Sequence, residues 1–565
     1  MGARRRSSRG SPAATISRPA PQVKRRGGTP SRSRAGPSYR VCRPVHQWLP
    51  CLQDSRLEFP TDSCTVGRVS RVSQPTLEQF TVTNAERAPA VGLDVSDKEP
   101  QAETPAGLRR ARWVLALGSL GAFVVFLDTT IVNIAFQTIS RSFDTTTGHL
   151  AWVLNAYSLV FAAMLIPAGR IADRYGRKQT FMIGIAGFAL MSALCGLAPS
   201  AGILIAGRAL QAVFAALVVP SSLALVLHEF HAERRHVAIG VWGAMAAAAA
   251  AVGPTLGALL TEYASWRWIF LVNIPIAAII LGFGKSLLHE SRDPHASGIP
   301  DVLGTVLIAL FPALLSYSII EGPTRGWSDG LVVAGFVLSA LVLPVFLWRT
   351  SRAARPIMDL ALFKERQFRD VNAATLLFST AFFGLLLANL IYLQTVWQYS
   401  VLRAALASAA GPVVVTIVAR STTKLASVIG HKKVLLVGAV LWTIGCLGFA
   451  LSVNASHHWV THWLPWTLLT GLGIGFTLPV QSGAAVAKLP PNQFAVGSAI
   501  NSSFRQLGAV LGISLFVAIL GTPTPTTVVD TFHHIWWVFA ALGLAAGVVQ
   551  ALPHFRGAAA RAETD

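Results

Sequence analysis

Asp128 and Arg208 are the charged residues whose positions could support proton chemistry. Each lies well inside a run of about twenty apolar residues, where a charged side chain is costly unless it is paired or faces water. A carboxylate at such a depth usually lines an aqueous path and can bind and release protons at ordinary pH. We therefore predict that Asp128 is a proton-coupling site, the alternative being a structural acid held by hydrogen bonds.

Arg208 is followed three residues later by Gln211, so the two side chains share one face of a helix. An unpaired arginine in lipid is very unfavourable, so Arg208 should face the central cavity, hold an anion or a carbonyl group and favour the ionised form of a nearby carboxylate. Residues 371–529 contain no Asp or Glu at all. Coupling by a carboxylate must then fall to the first half of the apolar region, with Asp128 and Arg208 as the proton-coupling residues.

A basic segment, Gly169–Lys178, surrounds one acid, Asp173, with four basic residues. Its glycines permit a tight turn, and its charges could pair with Asp173 in one conformation and release it in another. The alternative is a basic loop that only sets topology. A weaker copy follows 254 residues later, where Gly430 matches Gly176 and Ser427 stands at the position of the acid. The predicted gate residues are Gly169, Asp173, Arg174, Gly176, Arg177 and Lys178.

Small residues form a second candidate device at Gly253, Pro254 and Gly257. They follow a run of alanines, and such a face permits close approach of helices and a kink at the proline. We predict a hinge here, with an ordinary packing face as the alternative.

The elements that must position these residues are membrane-spanning helices. The chain is 53% hydrophobic and only 13% charged, and its mean hydropathy is +0.53. From residue 113 onward, apolar stretches recur that are long enough to cross a bilayer, and only helices satisfy their backbone in that way. We predict an all-α polytopic protein with 14 transmembrane helices. The Lys and Arg residues of the connections fall mostly on one side, which predicts that both termini are cytoplasmic.

The organisation is predicted as six plus two plus six helices, because the repeated basic segment suggests two related bundles. The predicted parts are a disordered basic tail (1–108), an N-terminal six-helix bundle (109–290), a two-helix insertion (291–350), a cytoplasmic linker (351–370), a C-terminal six-helix bundle (371–552) and a cytoplasmic C-terminal tail (553–565).

Over roughly residues 113–551 the chain resembles the fourteen-span drug:proton antiporters of the major facilitator superfamily, the EmrB/QacA-like group. The resemblance rests on Leu127–Asn133, Gly169–Lys178, Gly207–Gln211 and Gly253–Gly257, with Trp266–Pro275 and Asn501–Gly508 in support. It implies a major facilitator fold, a gating role for the basic segment, proton transfer through Arg208 and Gln211, and export, since the glycine and proline motif separates exporters from symporters. Asn133, Gln211 and Arg505 are the predicted substrate-cavity residues, although Arg505 could instead bond carbonyl groups between helices.

We therefore expect proton-coupled export of small hydrophobic or amphiphilic molecules by alternating access. The alternatives are a proton-coupled uptake symporter on the same fold and a membrane scaffold or receptor without transport. No nucleotide-binding motif or catalytic cluster stands out, so we expect no enzyme activity and no cofactor, with the proton gradient as energy source. The five cysteines have no metal-ligand spacing, and no metal is expected. The expected partners are a small-molecule substrate, protons and the bilayer of the plasma membrane, with no nucleic acid, and the chain is expected to be a monomer.

Overall fold

The computed structural model describes residues 105–230, 232–292, 301–353, 356–490 and 493–562, and no strand occurs within these ranges. The predicted disordered tail, residues 1–108, lies outside the described residues apart from its last four, and residues 563–565 of the predicted C-terminal tail also lie outside them.

The first half of the described chain forms six long helices and two short ones. These are α1 (Pro105–Ile134), α2 (Phe136–Phe143), α3 (Thr147–Tyr175), α4 (Arg177–Gly196), α5 (Ala201–Glu229), α6 (Ala232–Tyr263), α7 (Trp268–Leu271) and α8 (Asn273–Leu287).

A helix pair and then a second group of long helices follow. They are α9 (Val302–Arg325), α10 (Gly330–Arg352), a 3₁₀ turn (Leu360–Lys364), α11 (Arg366–Thr395), α12 (Val401–Ser408), α13 (Ala410–Ile429), α14 (His431–Ser452), a π-helical turn (Trp459–Trp463), α15 (Leu464–Val486), α16 (Phe494–Leu520) and α17 (Val528–Ala562).

The prediction of an all-helical polytopic membrane protein is confirmed. Within the described residues, thirteen helices are long and apolar enough to cross a membrane. The segment predicted as the fifth span forms α6, which has 32 residues and is not among those thirteen. Because the connections are short, successive long helices run in opposite directions and their ends fall on two faces of the bundle.

Gly176 and Gly430 mark one of these faces, which we call the turn face; the opposite one is the far face. Gly176 ends α3 and begins α4 with φ 122°, and Gly430 ends α13 and begins α14 with φ 90°. Each donates its N–H to a carbonyl four residues back, Ala172 O at 3.0 Å and Ala426 O at 3.1 Å. A side chain at such a φ would strain the backbone, so both turns require glycine.

The two halves pack together through α3 and α16. Ser503 Oγ donates to Ala162 O at 2.9 Å, and Asn155 Nδ2 donates to Ser514 Oγ at 2.9 Å. Ser514 also lies 2.6 Å from Ser316 of α9, so the helix pair joins the same contact. Polar side chains buried in these apolar helices therefore hydrogen-bond across helices, as intramembrane hydrogen bonds do.

Aromatic side chains fill the far-face end of the second half. Tyr392 stacks on Trp463 with ring centroids 5.7 Å apart, and Trp397 and Trp536 pack around them. The Tyr392 hydroxyl and the Trp397 indole N–H both donate to Asn454 O at 2.8 Å. Buried aromatic groups with their polar atoms bonded in this way make a rigid end to the bundle.

Close approach of α11 and α16 depends on glycine. A Cβ atom on Gly508 would lie 2.7 Å from Leu376 O and 3.0 Å from Thr380 N, both of them backbone atoms. Neither atom can move without shifting its helix, so alanine should force the two helices apart.

We expect Gly508→Ala to lower the free energy of unfolding by about 1–3 kcal/mol, the usual cost of overpacking. Gly483→Ala is the matched control, because a Cβ at Gly483 of α15 would meet nothing within 4 Å. The melting temperatures of the two variants in detergent test this. A Gly508→Ala protein as heat-resistant as the Gly483→Ala protein would contradict the packing argument.

Candidate functional site

Asp128 and Arg208 form an ion pair in the interior of the first half. Asp128 lies in the last third of α1 with 0% of its surface exposed, and Arg208 of α5 is 1% exposed. Arg208 Nη1 donates to Asp128 Oδ2 in a short contact. Two charges removed from water this completely are tolerated only when they are paired and their remaining polar atoms are bonded.

The second oxygen of Asp128 is also bonded. Its Oδ1 accepts from Gln211 Nε2 at 3.0 Å and from Asn273 Nδ2 at 2.9 Å. Gln211 Oε1 accepts in turn from Arg208 Nη1 at 2.8 Å, which closes a ring of three residues. Arg208 and Gln211 meet Asp128 together because they are three residues apart on α5, as the sequence spacing predicts.

Asn273 extends this network to two more helices. Its Nδ2 also lies 2.9 Å from Ser192 Oγ on α4, and Ser192 Oγ donates to Phe270 O at 2.8 Å. Asn273 and Ser192 are both fully buried. We did not identify either as a site residue from the sequence; the only available signal was that Asn273 lies inside the Trp266–Pro275 motif.

Tyr157 of α3 holds the other side of the arginine. The guanidinium carbon of Arg208 lies 3.9 Å from the centre of the Tyr157 ring, a cation–π contact inside the protein. Arg208 Nε also donates to Val153 O at 3.4 Å. Tyr157 is likewise absent from the residues identified by sequence, because an aromatic residue in an apolar helix carries no distinguishing pattern.

A small cavity, barely large enough for a water molecule, separates this network from the second half. Asn133 lines it, and its Nδ2 donates to Thr129 O at 3.2 Å. Gln211 faces Asp128 instead and does not line this cavity. The lining residues are Thr129, Asn133, Leu154, Tyr157, Ser158 and Arg208 from the first half, and Phe383 and Ile513 from the second.

Arg505 of α16 lies apart from the Asp128 network. Its Nη2 donates to Ser482 Oγ of α15 at 2.6 Å, and no carboxylate in the described part of the chain pairs with it. The partner of Arg505 is thus a hydroxyl group of the neighbouring helix. Binding of an anionic substrate and bonding of carbonyl groups between helices both stay predictions for this residue.

The predicted gate residues lie at the turn face. Asp173 Oδ1 accepts from Nε and Nη2 of Arg177 at 3.0 and 2.9 Å, an i,i+4 pair that crosses the Gly176 turn from α3 to α4. Lys178 Nζ donates to Lys285 O at 2.9 Å, and Arg174 lies over the Tyr175 ring. Gly169 lies further back on α3, against Pro220 of α5.

Glu290 is a further participant at this turn, and we did not identify it as a gate residue from the sequence. Its carboxylate oxygens accept from Lys178 N and Gln179 N, both at 3.0 Å, and so cap the first turn of α4. A carboxylate at a helix N-terminus is favoured by the unpaired N–H groups and by the helix dipole.

The predicted hinge residues of α6 pack directly on α1. A Cβ on Gly253 would collide with the Thr130 side chain, and one on Gly257 would lie 2.8 Å from Ile131 O. Pro254 lies between them inside α6. The glycine face therefore contacts the part of α1 that comes two and three residues after Asp128.

Comparison with known proteins places these features in a family context. Residues 118–512 match the family model described as Major Facilitator Superfamily. The chain is 33% identical over 402 residues to "Multidrug resistance protein Stp" of Mycobacterium tuberculosis (strain CDC 1551 / Oshkosh), covering 71% of this chain and 74% of the relative. It is 32% identical over 438 residues to "Tetracenomycin C resistance and export protein" of Streptomyces glaucescens, covering 77% and 80%.

A solved structure shows the same fold. The xylose transporter XylE from E. coli, in a partially occluded inward open conformation, superposes with a TM-score of 0.54 at 12% identity, covering 78% of this chain and 98% of that one.

Breaking the buried ion pair should cost more than replacing it. We expect Arg208→Leu to lower the free energy of unfolding by about 3–5 kcal/mol, because Asp128 would be left buried without its cation. In the double variant Asp128→Leu/Arg208→Leu no charge is stranded, so part of that loss should be recovered. Melting temperatures in detergent compare the two, and a double variant less stable than Arg208→Leu alone would contradict this account.

Proposed function

The chain belongs to the Major Facilitator Superfamily, and we propose that it is a proton-coupled exporter of small hydrophobic or amphiphilic molecules. The observation that carries the proposal is the fully buried pair of Asp128 and Arg208 beside a cavity between the halves. The relatives named above are drug resistance and export proteins, which supports a drug-like substrate. The chain needs no catalytic group or cofactor for this role, and it would act as a monomer.

Protonation of Asp128 would be the event that links the proton to the substrate. The ionised carboxylate accepts from Arg208, Gln211 and Asn273. Adding a proton removes its charge and one acceptor site, so the guanidinium of Arg208 loses its counter-charge and can turn to another acceptor. Arg208 also lines the cavity between the halves, so a substrate that enters when alternating access widens this cavity would compete with the ionised carboxylate.

The hinge would transmit this change to the second half. Gly253 and Gly257 of α6 pack on α1 next to Asp128. A shift of α1 would therefore push directly on α6. At the far face α6 contacts the second half, where Glu262 Oε2 accepts from Leu402 N at 3.0 Å. The apolar residues buried together at that contact are Ile134, Ala258, Leu390 and Ala405.

We place fourteen spans in the membrane, which are the thirteen counted above together with α6, the fifth in chain order. They are arranged as six plus two plus six helices, with both termini in the cytoplasm. The Lys and Arg residues concentrate at the turn face, which supports that face as cytoplasmic. The contact at the far face would then close the outer side, and alternating access would open it while closing the turn face.

The ion pair between Asp173 and Arg177 would act as a latch in this motion. We expect Asp173→Asn to slow substrate export several-fold while changing the free energy of unfolding by less than about 1 kcal/mol, since the pair is partly exposed. Ser427→Ala, at the equivalent position of the second half, is the control and should export normally. Transport into proteoliposomes measures both, and equal, severe losses from the two changes would contradict the latch.

Asp128→Asn should abolish proton-coupled export, because the amide keeps the size of the carboxylate but cannot be ionised. In a pump-deficient bacterium exposed to a panel of drugs, the variant should confer no more resistance than an empty vector. Glu321→Gln is the matched control, because Glu321 pairs with its helical neighbour Arg325 at a partly exposed site away from the Asp128 network.

Proteoliposomes separate the proposal from its alternatives. Export predicts that substrate and protons cross in opposite directions. Movement in the same direction would identify a symporter, and an absence of flux in the wild-type protein would favour a scaffold or receptor. Full resistance from the Asp128→Asn variant would overturn the assignment of the coupling site.

A further inference from the structure

An open cavity lies on the turn face of the second half, beside Gly430. Its volume is about 410 Å³, and it opens to solvent. None of the Asp128 network lines it, so it is distinct from the proposed transport site. Its basic residues are Arg366, His431, Lys432, Lys433 and Lys488, and its amide residues are Gln367 and Gln550.

The charge of this cavity is mainly positive. Its one acid, Asp370, already lies 3.3 Å from Arg369, and Lys488 has Glu365 at 3.7 Å. No carboxylate among the described residues pairs with Arg366, Lys432 or Lys433. Several cations facing one space repel each other, and an anion between them would relieve that repulsion.

The N-terminus of α14 opens into the same space. His431, Lys432 and Lys433 are its first residues, and the helix is 22 residues long. The N–H groups of a first helical turn have no partner within the helix, and the helix dipole adds partial positive charge there. Such an end is suited to phosphate or carboxylate groups.

Gln550 of α17 is an independent observation, because its side-chain amide is a buried hydrogen-bond donor without an acceptor. Its side chain lines the cavity and only 4% of the residue is exposed, yet its Nε2 donates to no atom of the described chain. A buried donor without an acceptor is unfavourable, because it has lost the hydrogen bond that it would make to water. A ligand with acceptor oxygens in the cavity would remove this cost.

In the first half of the protein, the matching helix N-terminus is filled by a carboxylate of the chain itself. The N-terminus of α4 is capped by Glu290, and a Cβ on Gly176 would lie 2.5 Å from the Glu290 carboxyl carbon. At Gly430, the matching turn, a Cβ would meet nothing within 4 Å. The chain thus fills one helix end with its own carboxylate and leaves the other open among cations.

We propose that this cavity binds a phosphate group, carried by the headgroup of an anionic phospholipid or free in solution. The phosphate oxygens would accept from the first N–H groups of α14, from Gln550 Nε2 and from Lys432 and Lys433. This site does not depend on the proposed export activity, and its tests measure binding alone.

The test is binding of a fluorescent short-chain phosphatidylglycerol to the purified full chain in detergent. Phosphatidylcholine with the same chains is the reference lipid, because its choline cation offsets the phosphate charge. The wild-type protein should bind phosphatidylglycerol at least about tenfold more tightly, as expected for charge-assisted hydrogen bonds. Inorganic phosphate is then added as a competitor.

Two variants remove the site in different ways. Lys432→Gln/Lys433→Gln removes cations, and Gln550→Glu adds a carboxylate that would occupy the end of α14 as Glu290 occupies that of α4. Each should reduce the preference for phosphatidylglycerol by about tenfold, while Lys364→Gln, an exposed lysine outside the cavity, should not. Melting temperatures confirm that each variant is folded.

Competition by inorganic phosphate distinguishes the two sources of the phosphate group. Competition by inorganic phosphate together with loss in both variants identifies a site that accepts the free ion, and loss in the variants without competition identifies the lipid headgroup. Equal binding of both lipids by the wild-type protein without phosphate competition, or wild-type binding by folded Lys432→Gln/Lys433→Gln and Gln550→Glu proteins, would overturn the proposal.

Discussion

Removing a guanidinium and a carboxylate from water is the constraint on which the first half of this protein depends. Asp128 and Arg208 can lie in an apolar interior because their charges pair and because both carboxylate oxygens and the Nε and Nη1 of the guanidinium are hydrogen-bonded. Those partners come from neighbouring helices: Gln211 from α5, Asn273 from α8 and the Tyr157 ring from α3. The same contacts that make the buried charges tolerable therefore also fix the relative positions of the helices.

Sequence patterns identify Asp128, Arg208 and Gln211 of this network but not Asn273 or Tyr157. Asp128 and Arg208 are conspicuous because charge is rare in spanning helices, and the spacing of Gln211 from Arg208 gives their shared face. Asn273 and Tyr157 are distant in sequence and carry no charge, so only the packing of helices brings them to the site. The helices themselves follow from hydropathy, whereas the Glu290 contact at the Gly176 turn depends on a tertiary approach that no local pattern encodes.

The two halves differ in the kinds of side chains that pack in their interiors. The first half contains the buried charges, and the second half instead packs rings around Tyr392 and Trp463 at the far face and brings α11 and α16 together over glycine. The buried carboxylate Asp128 lies in the first half, whereas His457 and His533 lie beside the aromatic rings of the second half. At the cavity between the halves, the second half contributes the apolar side chains of Phe383 and Ile513.

The two glycine turns share a backbone path although the side chains around them differ. At Gly176 and Gly430 the backbone takes the same left-handed path between two helices, although one turn is surrounded by Asp173, Arg177 and Glu290 and the other has Ser427 in place of the acid. Polar groups at a surface can be exchanged at little cost, whereas any residue other than glycine would be strained at either corner. The direction in which each following helix leaves its turn is therefore set by the main chain and not by the charges around it.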